Sequence, residues 1–199
     1  MAGGRKLEFD KQQALEAAMN VFWQKGYGAA SLSDLTSSMG INKPSLYSAF
    51  GNKEALFLQA TDFYVERIAD KHAACLKLAN TDLRTRLSLF LRSIMKSQFD
   101  ASTPAGCYVA LCAAETEAED LPEAAKNKVL EVAELSQRVL CELFLTDSEA
   151  QTHGLDKSAE ASSHFLMALM HGTASLARTG KKEQELEQSI EFALRGIGL

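Results

Sequence analysis

The stretch 40–57, GINKPSLYSAFGNKEALF, ends one helix, forms a second and starts a third. Gly40 and Gly51 mark the two breaks, because glycine readily adopts the left-handed backbone that ends a helix. Asn42 and Asn52 follow these glycines closely, and asparagine is a favoured N-cap residue. The stretch therefore predicts a short helix set between two turns.

The short helix is predicted over 43–50, with Pro44 in its first turn, where a missing N–H does little harm. A second short helix is predicted over 31–39, where Ser31 and Asp34 have the spacing of a capping box. Two short helices joined by a glycine-containing turn are typical of a helix-turn-helix, whose second helix enters the DNA major groove.

The rest of the chain also has helical periodicity, and no segment alternates as a β-strand does, so we predict an all-α fold. The segment 146–156 is polar and unpatterned and is predicted to be a loop. The remaining predicted helices cover 10–25, 53–78, 82–101, 105–119, 122–146, 158–179 and 183–196.

The composition is that of a folded, water-soluble chain. Hydrophobic residues make up 46% of 199 residues, which is enough for a substantial core. No apolar run approaches the roughly 18 residues that span a bilayer, and the N-terminus has no apolar leader, so we expect a cytoplasmic protein without a membrane partner. The four cysteines form no CxxC pair and are expected to be free thiols.

Charge is distributed unevenly along the chain. Residues 1–55 contain six Lys/Arg and five Asp/Glu, a net charge of +1, whereas residues 56–199 contain fifteen and twenty-one, a net charge of −6. An acidic total argues against broad binding to polyanions. An acidic total does not exclude DNA binding by a small local surface.

The run from Phe9 to Phe57 resembles the DNA-binding head of the tetracycline-repressor (TetR) family in residue order and spacing, and its matching pieces are ALEAAMNVFWQKGYGAASLSDLTSSMGINKPSLYSAFGNKEALF. The resemblance implies a bacterial transcriptional regulator, usually a repressor, which acts as a homodimer on a near-palindromic operator in double-stranded DNA. It implies a helix-turn-helix DNA-binding domain over 1–52 and a helical ligand-binding and dimerisation domain over 53–199. A small-molecule effector bound in the second domain would release the DNA, and no cofactor is implied.

The same resemblance transfers DNA contacts to the start of the 31–39 helix, to the 43–50 helix and to the start of the 53–78 helix. Hydroxyl groups, ammonium groups and backbone N–H groups at helix starts suit phosphate oxygens. The 43–50 helix has no Arg, Asn or Gln for reading bases, so sequence choice is expected to depend partly on DNA shape and water. The expected DNA-binding residues are Ser31, Ser33, Lys43, Pro44, Ser45, Tyr47, Ser48 and Lys53.

The body contains a candidate effector site. Cys107 follows Pro-x-Gly at an expected helix start, where a thiol becomes more nucleophilic, so it could sense thiol-reactive compounds. The alternative is that Cys107 and Cys112 are small buried apolar residues, and Cys75 and Cys141 are expected in the core. The expected ligand-binding residues are Phe63, Met95, Phe99, Cys107, Tyr108, Leu111 and His171.

Two further features of the body leave alternatives open. His164, Met167 and His171 share one helical face and could bind a soft metal ion in a metal-responsive regulator. The helices 122–146 and 158–179 are the candidate dimer helices, as a four-helix bundle between two subunits. Their apolar faces contain Leu130, Leu140, Leu143, Phe144, Phe165, Leu169 and Leu176.

The sequence does not favour an enzyme. It has no nucleophile elbow, HExxH, P-loop or GxGxxG motif. Glu115, Glu117 and Glu119 are close in sequence, but on a helix they would spread over a solvated face. The remaining alternative is a helical ligand-binding or interaction module without specific DNA binding.

Overall fold

The computed structural model describes residues 9–118 and 121–199, and within these ranges the chain is helical with no β-strand, as predicted. The first residues of the predicted DNA-binding domain, and the end of the helix predicted over 105–119, lie outside the described residues. Within the described residues, no helix is both long and apolar enough to cross a membrane.

The head consists of three helices, α1 (Lys11–Ala29), α2 (Leu32–Met39) and α3 (Lys43–Phe50). The backbone of α1 is broken at Gly26, whose φ of 77° is left-handed, and one further turn follows. The sequence predicted the end of the first helix at this glycine, and the break confirms the position.

The caps of the two short helices are those the sequence predicted. The Ser31 hydroxyl accepts the Asp34 N–H at 3.0 Å, and Asp34 Oδ2 accepts the Ser31 N–H at 3.0 Å, which completes a capping box. The Asn42 side chain accepts the Ser45 N–H at 2.9 Å. These bonds satisfy N–H groups that have no partner inside the helix, so each short helix can begin where it does.

A long helical segment connects the head to the body. It comprises α4 (Lys53–Tyr64), a π-helical stretch (Val65–Ala69), α5 (Asp70–Ala74) and a 3₁₀ turn (Cys75–Lys77). The prediction of one helix over 53–78 is correct in extent, but it did not include the π-helical stretch. Such wide turns are often found at functional sites.

The body continues with helices that pack around the end of this segment. The predictions for the last three long helices are confirmed to within a few residues. The helices are α6 (Leu83–Gln98), α7 (Tyr108–Ala113), α8 (Glu123–Thr146), α9 (Ser148–Thr152), α10 (Ala159–Arg178) and α11 (Glu183–Gly196).

Two predictions for the body were wrong. The helix predicted over 105–119 is only α7, because Gly106 is left-handed with φ 89° and the chain after Ala113 forms tight turns. The predicted loop 146–156 contains α9, which Asp147 caps by accepting the N–H groups of its first turn. Polar composition concealed this short helix, because only one of its residues is buried.

The apolar residues form two cores. The first core joins the head to α4, to α7 and to the first half of α8, and Trp23 and Tyr108 are its largest fully buried side chains. The second core lies wholly in the body, between α6, the second half of α8, α10 and α11, around Phe90 and Phe144. The head therefore packs directly on the body.

Candidate nucleic-acid interface and effector cavity

The helix α3 is held to the head by one face and exposes the other. Leu46 and Phe50 are buried, whereas Lys43 and Ser48 are exposed and the Tyr47 side chain is 50% exposed. A large aromatic residue that contributes nothing to the core, on a polar helix face, is available for contact with a partner.

The eight predicted DNA-binding positions lie at the start of α2, along α3 and at the start of α4. Ser31, Ser33, Lys43, Pro44, Tyr47 and Ser48 are exposed, and Ser45 and Lys53 are half-buried. The Ser31 hydroxyl donates to Asp34 Oδ2 at 2.7 Å and accepts the Asp34 N–H, so its capping role is established in the structure. Contact of these residues with DNA stays a prediction.

Lysines of the head differ in their surroundings. Lys25 Nζ lies 2.7 Å from Asp34 Oδ1, and this contact, followed by the bonds from Ser31, lowers the pKa of Asp34 to about 2. The Lys53 ammonium lies 4.3 Å from the centre of the Tyr27 ring. Lys43 has no carboxylate partner among the described residues, so its full charge is available at the start of α3.

A small cavity of about 50 Å³ lies in the body between α4, α5, α6, α8 and α10. Its wall combines apolar side chains with a few polar and sulfur-containing groups, as small-molecule sites commonly do. The polar and sulfur-containing residues of the wall are Tyr64, His72, Ser97, Gln98, Cys107, Ser136, Met167, Met170 and His171.

Cys107 lies at the cavity wall, in the N-cap position of α7. Its Sγ is 3.7 Å from the Tyr64 hydroxyl oxygen. Burial, followed by the neighbouring Cys107, raises the pKa of Tyr64 well above its ordinary value, so this hydroxyl keeps its proton. Burial also raises the pKa of Cys112, which makes that thiol a packing residue rather than a nucleophile.

Two histidines contribute imidazole rings to the cavity. His72 Nδ1 lies 2.6 Å from the Ser93 hydroxyl, and His72 Nε2 lies 3.3 Å from the Ser97 hydroxyl. Burial lowers the pKa of His72, with a smaller contribution from Lys71, and burial lowers the pKa of His171. Both rings are therefore neutral at pH 7 and can donate or accept hydrogen bonds.

Of the seven predicted ligand-binding residues, Cys107 and His171 line this cavity and the other five do not. The Tyr108 hydroxyl is buried against Thr61, at 2.7 Å, and Met95 is buried in the second core. Both side chains fill a close-packed core, and helical periodicity does not distinguish a core position from a cavity wall. Phe63 is buried beside Arg67, and Phe99 and Leu111 are half-buried outside the wall.

The sequence missed most of the cavity wall. His72 and Tyr64 reach it from the two sides of the π-helical stretch, and Gln98 reaches it from the end of α6. A wide helical turn shifts the face that the following residues present, so 3.6-residue periodicity could not have placed His72 there.

The three candidate metal ligands do not form one site. Met167 and His171 line the cavity, whereas His164 lines a separate, shallow groove with Cys141 and Leu145. Within the described residues no cluster of three or more His, Cys, Asp or Glu side chains could hold a metal ion. Cys75 and Cys141 are half-buried beside the second core, rather than inside it.

A groove of about 370 Å³ adjoins the cavity between α5 and α8. Ala69, Leu135 and Ser136 line both spaces. The groove is apolar inside, where Phe90 and Leu143 contribute to its wall. It is large enough for a ligand that the cavity alone could not hold.

The candidate dimer helices α8 and α10 do present apolar residues to the outside. Leu130, Phe165 and Leu176 are exposed, and Leu145 on α8 is exposed as well. Leu143 and Leu169 are half-buried. The prediction was wrong for Leu140 and Phe144, which are completely buried in the second core of their own chain and have no surface left for a partner.

Comparison with known proteins assigns this architecture to one class of regulators. Residues 14–60 match the family described as bacterial regulatory proteins, tetR family. The HTH-type transcriptional repressor ComR of Escherichia coli (strain K12) is 31% identical over 194 residues, which cover 96% of this chain and 90% of ComR.

Solved structures give the same result. A cysteine mutant of the TetR family transcriptional regulator CifR, complexed with 26 bp operator DNA, matches with a TM-score of 0.88 and 31% identity over 96% of this chain and 98% of that chain. The architecture is thus that of a helix-turn-helix regulator. The chain belongs to the TetR family, and it is a DNA-binding transcriptional regulator rather than an enzyme.

Proposed function

We propose that this protein is a cytoplasmic, homodimeric repressor that binds a near-palindromic operator and leaves it when a small molecule occupies the body. The single observation that carries the proposal is the outward face of α3, where Lys43, Tyr47 and Ser48 are exposed above the buried Leu46. ComR is named a repressor, and the CifR mutant is complexed with operator DNA, which supports transfer of this role.

The chemistry of the DNA-facing surface favours phosphate contacts over base contacts. Its groups are hydroxyls, one exposed lysine and the N–H groups at helix starts, all of which suit phosphate oxygens. Pro44 can offer a base only an apolar contact, for example to a thymine methyl group. Affinity should therefore depend steeply on salt, whereas sequence preference should depend partly on the shape of the operator.

Dimerisation is proposed through α8 and α10. Phe165 and Leu176 on α10 are 47% and 39% exposed, and Leu145 on α8 is 50% exposed. Exposed apolar side chains on adjacent helices are a common basis of a two-fold interface. Two such helices from each subunit would form a four-helix bundle and would hold the two heads at the spacing of a palindrome.

The test of repression begins with selection of genomic fragments by the purified protein, followed by titration of a fluorescent fragment at several salt concentrations. We expect one dimer per palindromic site and no comparable binding to a scrambled site. Binding that is equal for both sequences would leave the alternative of an interaction module without specific DNA recognition.

The effector is proposed to enter the body between α5 and α8 and to reach the cavity beside Cys107. The shared residues Ala69, Leu135 and Ser136 support a path from groove to cavity. A ligand with an apolar body and a small polar end matches the two lining chemistries.

A second candidate signal is a thiol-reactive compound, because Cys107 is at the cavity wall while Cys112 is sealed in the core. In this case the Cys107 sulfur would add to one carbon of an activated C=C double bond, the π bond would break, and the adjacent carbon would take up a proton in place of the one lost from the thiol. N-Ethylmaleimide is a suitable probe, with intact mass and operator affinity measured together. We expect one early adduct that lowers affinity and is absent from Cys107→Ser. An unchanged response in Cys107→Ser would exclude this signal.

A further inference from the structure

The break in α1 at Gly26 receives a carboxylate from the body. Glu115 lies in the turns after α7, and its Oε2 accepts the Tyr27 N–H at 2.6 Å. The two residues are 88 positions apart in sequence, so the bond connects the head to the body directly. A charge-assisted bond of this kind is among the stronger hydrogen bonds in proteins.

Glycine is required at this break for two independent reasons. The φ of Gly26 is 77°, which disfavours any residue with a side chain. A Cβ at this position would also overlap Glu115 Oε1. The end of α1 is thus shaped to admit the Glu115 carboxylate.

Arg178 contacts the same end of α1 from the other side of the break. It is the last residue of α10, and its guanidinium donates to the Trp23 and Gln24 carbonyls, each at 3.4 Å. These carbonyls belong to the last turn before Gly26, where a positive charge is favourable. The same guanidinium donates to the Ala105 carbonyl at 3.4 Å.

Ala105 is adjacent to the cavity wall. Gly106 and Cys107 both line the cavity, and a Cβ on Gly106 would lie 2.8 Å from Arg178 Cγ. Arg178 therefore packs against the back of the wall segment that carries the Cys107 thiol. A displacement of this segment would move the Arg178 side chain as well.

Tyr27 leads from this contact towards the DNA-facing surface. Its ring lies under the Lys53 ammonium at 4.3 Å and packs edge-on against Phe57 at 5.2 Å. Lys53 is the first residue of α4 and is one of the proposed phosphate contacts. A contact that fixes Tyr27 therefore also fixes the start of α4.

We propose that Glu115 and Arg178 are positioning residues that clasp the end of α1 on both sides of Gly26 and hold the head in the orientation that binds operator. This proposal deepens the proposed repressor function and rests on it. An occupant of the cavity would act through the 105–107 segment on Arg178 and would loosen the clasp.

The test compares Glu115→Ala with Glu115→Gln, which keeps an oxygen that can accept the Tyr27 N–H. The control is Glu117→Ala, which makes the same change of charge at an exposed residue two positions away. Hydrogen exchange of the peptide containing Tyr27, measured without DNA, reports the clasp itself. Fluorescence titration of the selected operator reports its role in binding.

For Glu115→Ala we expect about tenfold faster exchange at the Tyr27 amide and about tenfold weaker operator binding, because one charge-assisted bond is lost. Glu115→Gln should recover most of both losses, and Glu117→Ala should match the wild type. Unchanged exchange in Glu115→Ala would overturn the clasp. Faster exchange with unchanged operator affinity would overturn its positioning role. If the wild type binds no operator, the repressor function fails, while hydrogen exchange still decides whether the clasp exists.

Arg178 is tested by Arg178→Lys. This change keeps the positive charge but replaces the planar guanidinium with a single ammonium group, which cannot donate to all three carbonyls at once. We expect faster exchange across residues 20–27 and weaker operator binding, with Arg195→Ala as the control at another exposed helix end. A thermal melt establishes that each variant is folded. Wild-type exchange and affinity in Arg178→Lys would overturn the part assigned to this residue.

Discussion

The first apolar core joins two parts of the molecule, whereas the second core stays within one. Trp23 of the head packs edge-on against Tyr64 and Tyr108, so helices from the head and the body share a single interior. Phe90 and Phe144, by contrast, hold together helices of the body alone. Because the proposed DNA-facing surface is supported by this shared interior, it can respond to changes that begin in the body.

The cavity lies where the two cores meet. Tyr64 and Val132 of its wall belong to the first core, and Met170 belongs to the second. Close-packed interiors transmit displacement, so a molecule that enlarges this cavity would move one core against the other. A small ligand bound between the two cores could therefore change the position of the head.

The surfaces of the two regions differ as well. In the body, Arg92 bridges Glu187 at 2.6 Å and Glu191 at 3.0 Å, which connects α6 to α11. On α3, Lys43 has no such partner among the described residues. Paired charges add little to stability at a surface, but an unpaired lysine can replace counterions on DNA.

The largest expected difference separates two neighbours on α3. Leu46→Ala should lower the free energy of unfolding by about 2–5 kcal/mol, because it leaves a cavity in the first core. Tyr47→Ala should change stability by less than about 0.5 kcal/mol but should weaken operator binding about tenfold. Urea denaturation and fluorescence titration measure the two effects. Equal operator binding by Tyr47→Ala and the wild type would remove this surface from the interface.

A lysine of the head and a lysine of the body should differ in their effect on DNA binding. Lys43→Ala should weaken binding to specific and scrambled DNA alike and reduce the salt slope by about 1, because one phosphate contact is lost. Lys96→Ala, at an exposed position of α6, should leave both quantities unchanged. Titrations at several salt concentrations test this, and identical slopes for Lys43→Ala and Lys96→Ala would contradict it.

The hydroxyl groups of two tyrosines in the first core should differ in how much they stabilise the fold. The Thr61 hydroxyl donates to the Phe57 carbonyl at 2.9 Å, so the Tyr108 hydroxyl is the donor in the Tyr108–Thr61 bond. Tyr108→Phe should lower the free energy of unfolding by about 1 kcal/mol. Tyr64→Phe should cost less, because its hydroxyl faces a thiol, which is a weak partner. A larger loss for Tyr64→Phe in urea denaturation would reverse this ranking.

The smallest expected effect is a loss of folding stability at acidic pH. The folded pKa of His171 is lowered from 6.5 by burial, so the unfolded chain binds a proton first as the pH falls. The stability present above pH 6.5 should therefore decline below it, until the pH reaches the folded pKa. His171→Gln should lose less stability than the wild type between pH 7 and pH 5.5, whereas His153→Gln, at an exposed site, should follow the wild type. Parallel pH curves for His171→Gln and the wild type would show that His171 does not contribute.

How far the sequence predicts this protein depends on the range of the interactions involved. Caps at Ser31 and Asn42 act over three residues, so both could be placed correctly from spacing alone. Glu115 was assigned to a solvated helix face, because nothing within a few residues of it reveals the Tyr27 N–H that it binds. The cavity wall was mostly missed for the same reason, as its residues are spread along the chain from Tyr64 to His171.

The sequence by itself determined the all-α class, the helix-turn-helix and the resemblance of the head to the TetR family. Local caps, glycines and periodicity encode these short helices directly. Only the tertiary structure decided the length of α7, the wall of the cavity and the contact of Glu115 and Arg178 with the end of α1. These features depend on side chains that are far apart in sequence and meet only when the two cores form. The residues proposed to bind DNA can therefore be recognised from the sequence, whereas the residues proposed to control that binding become visible only when the chain is folded.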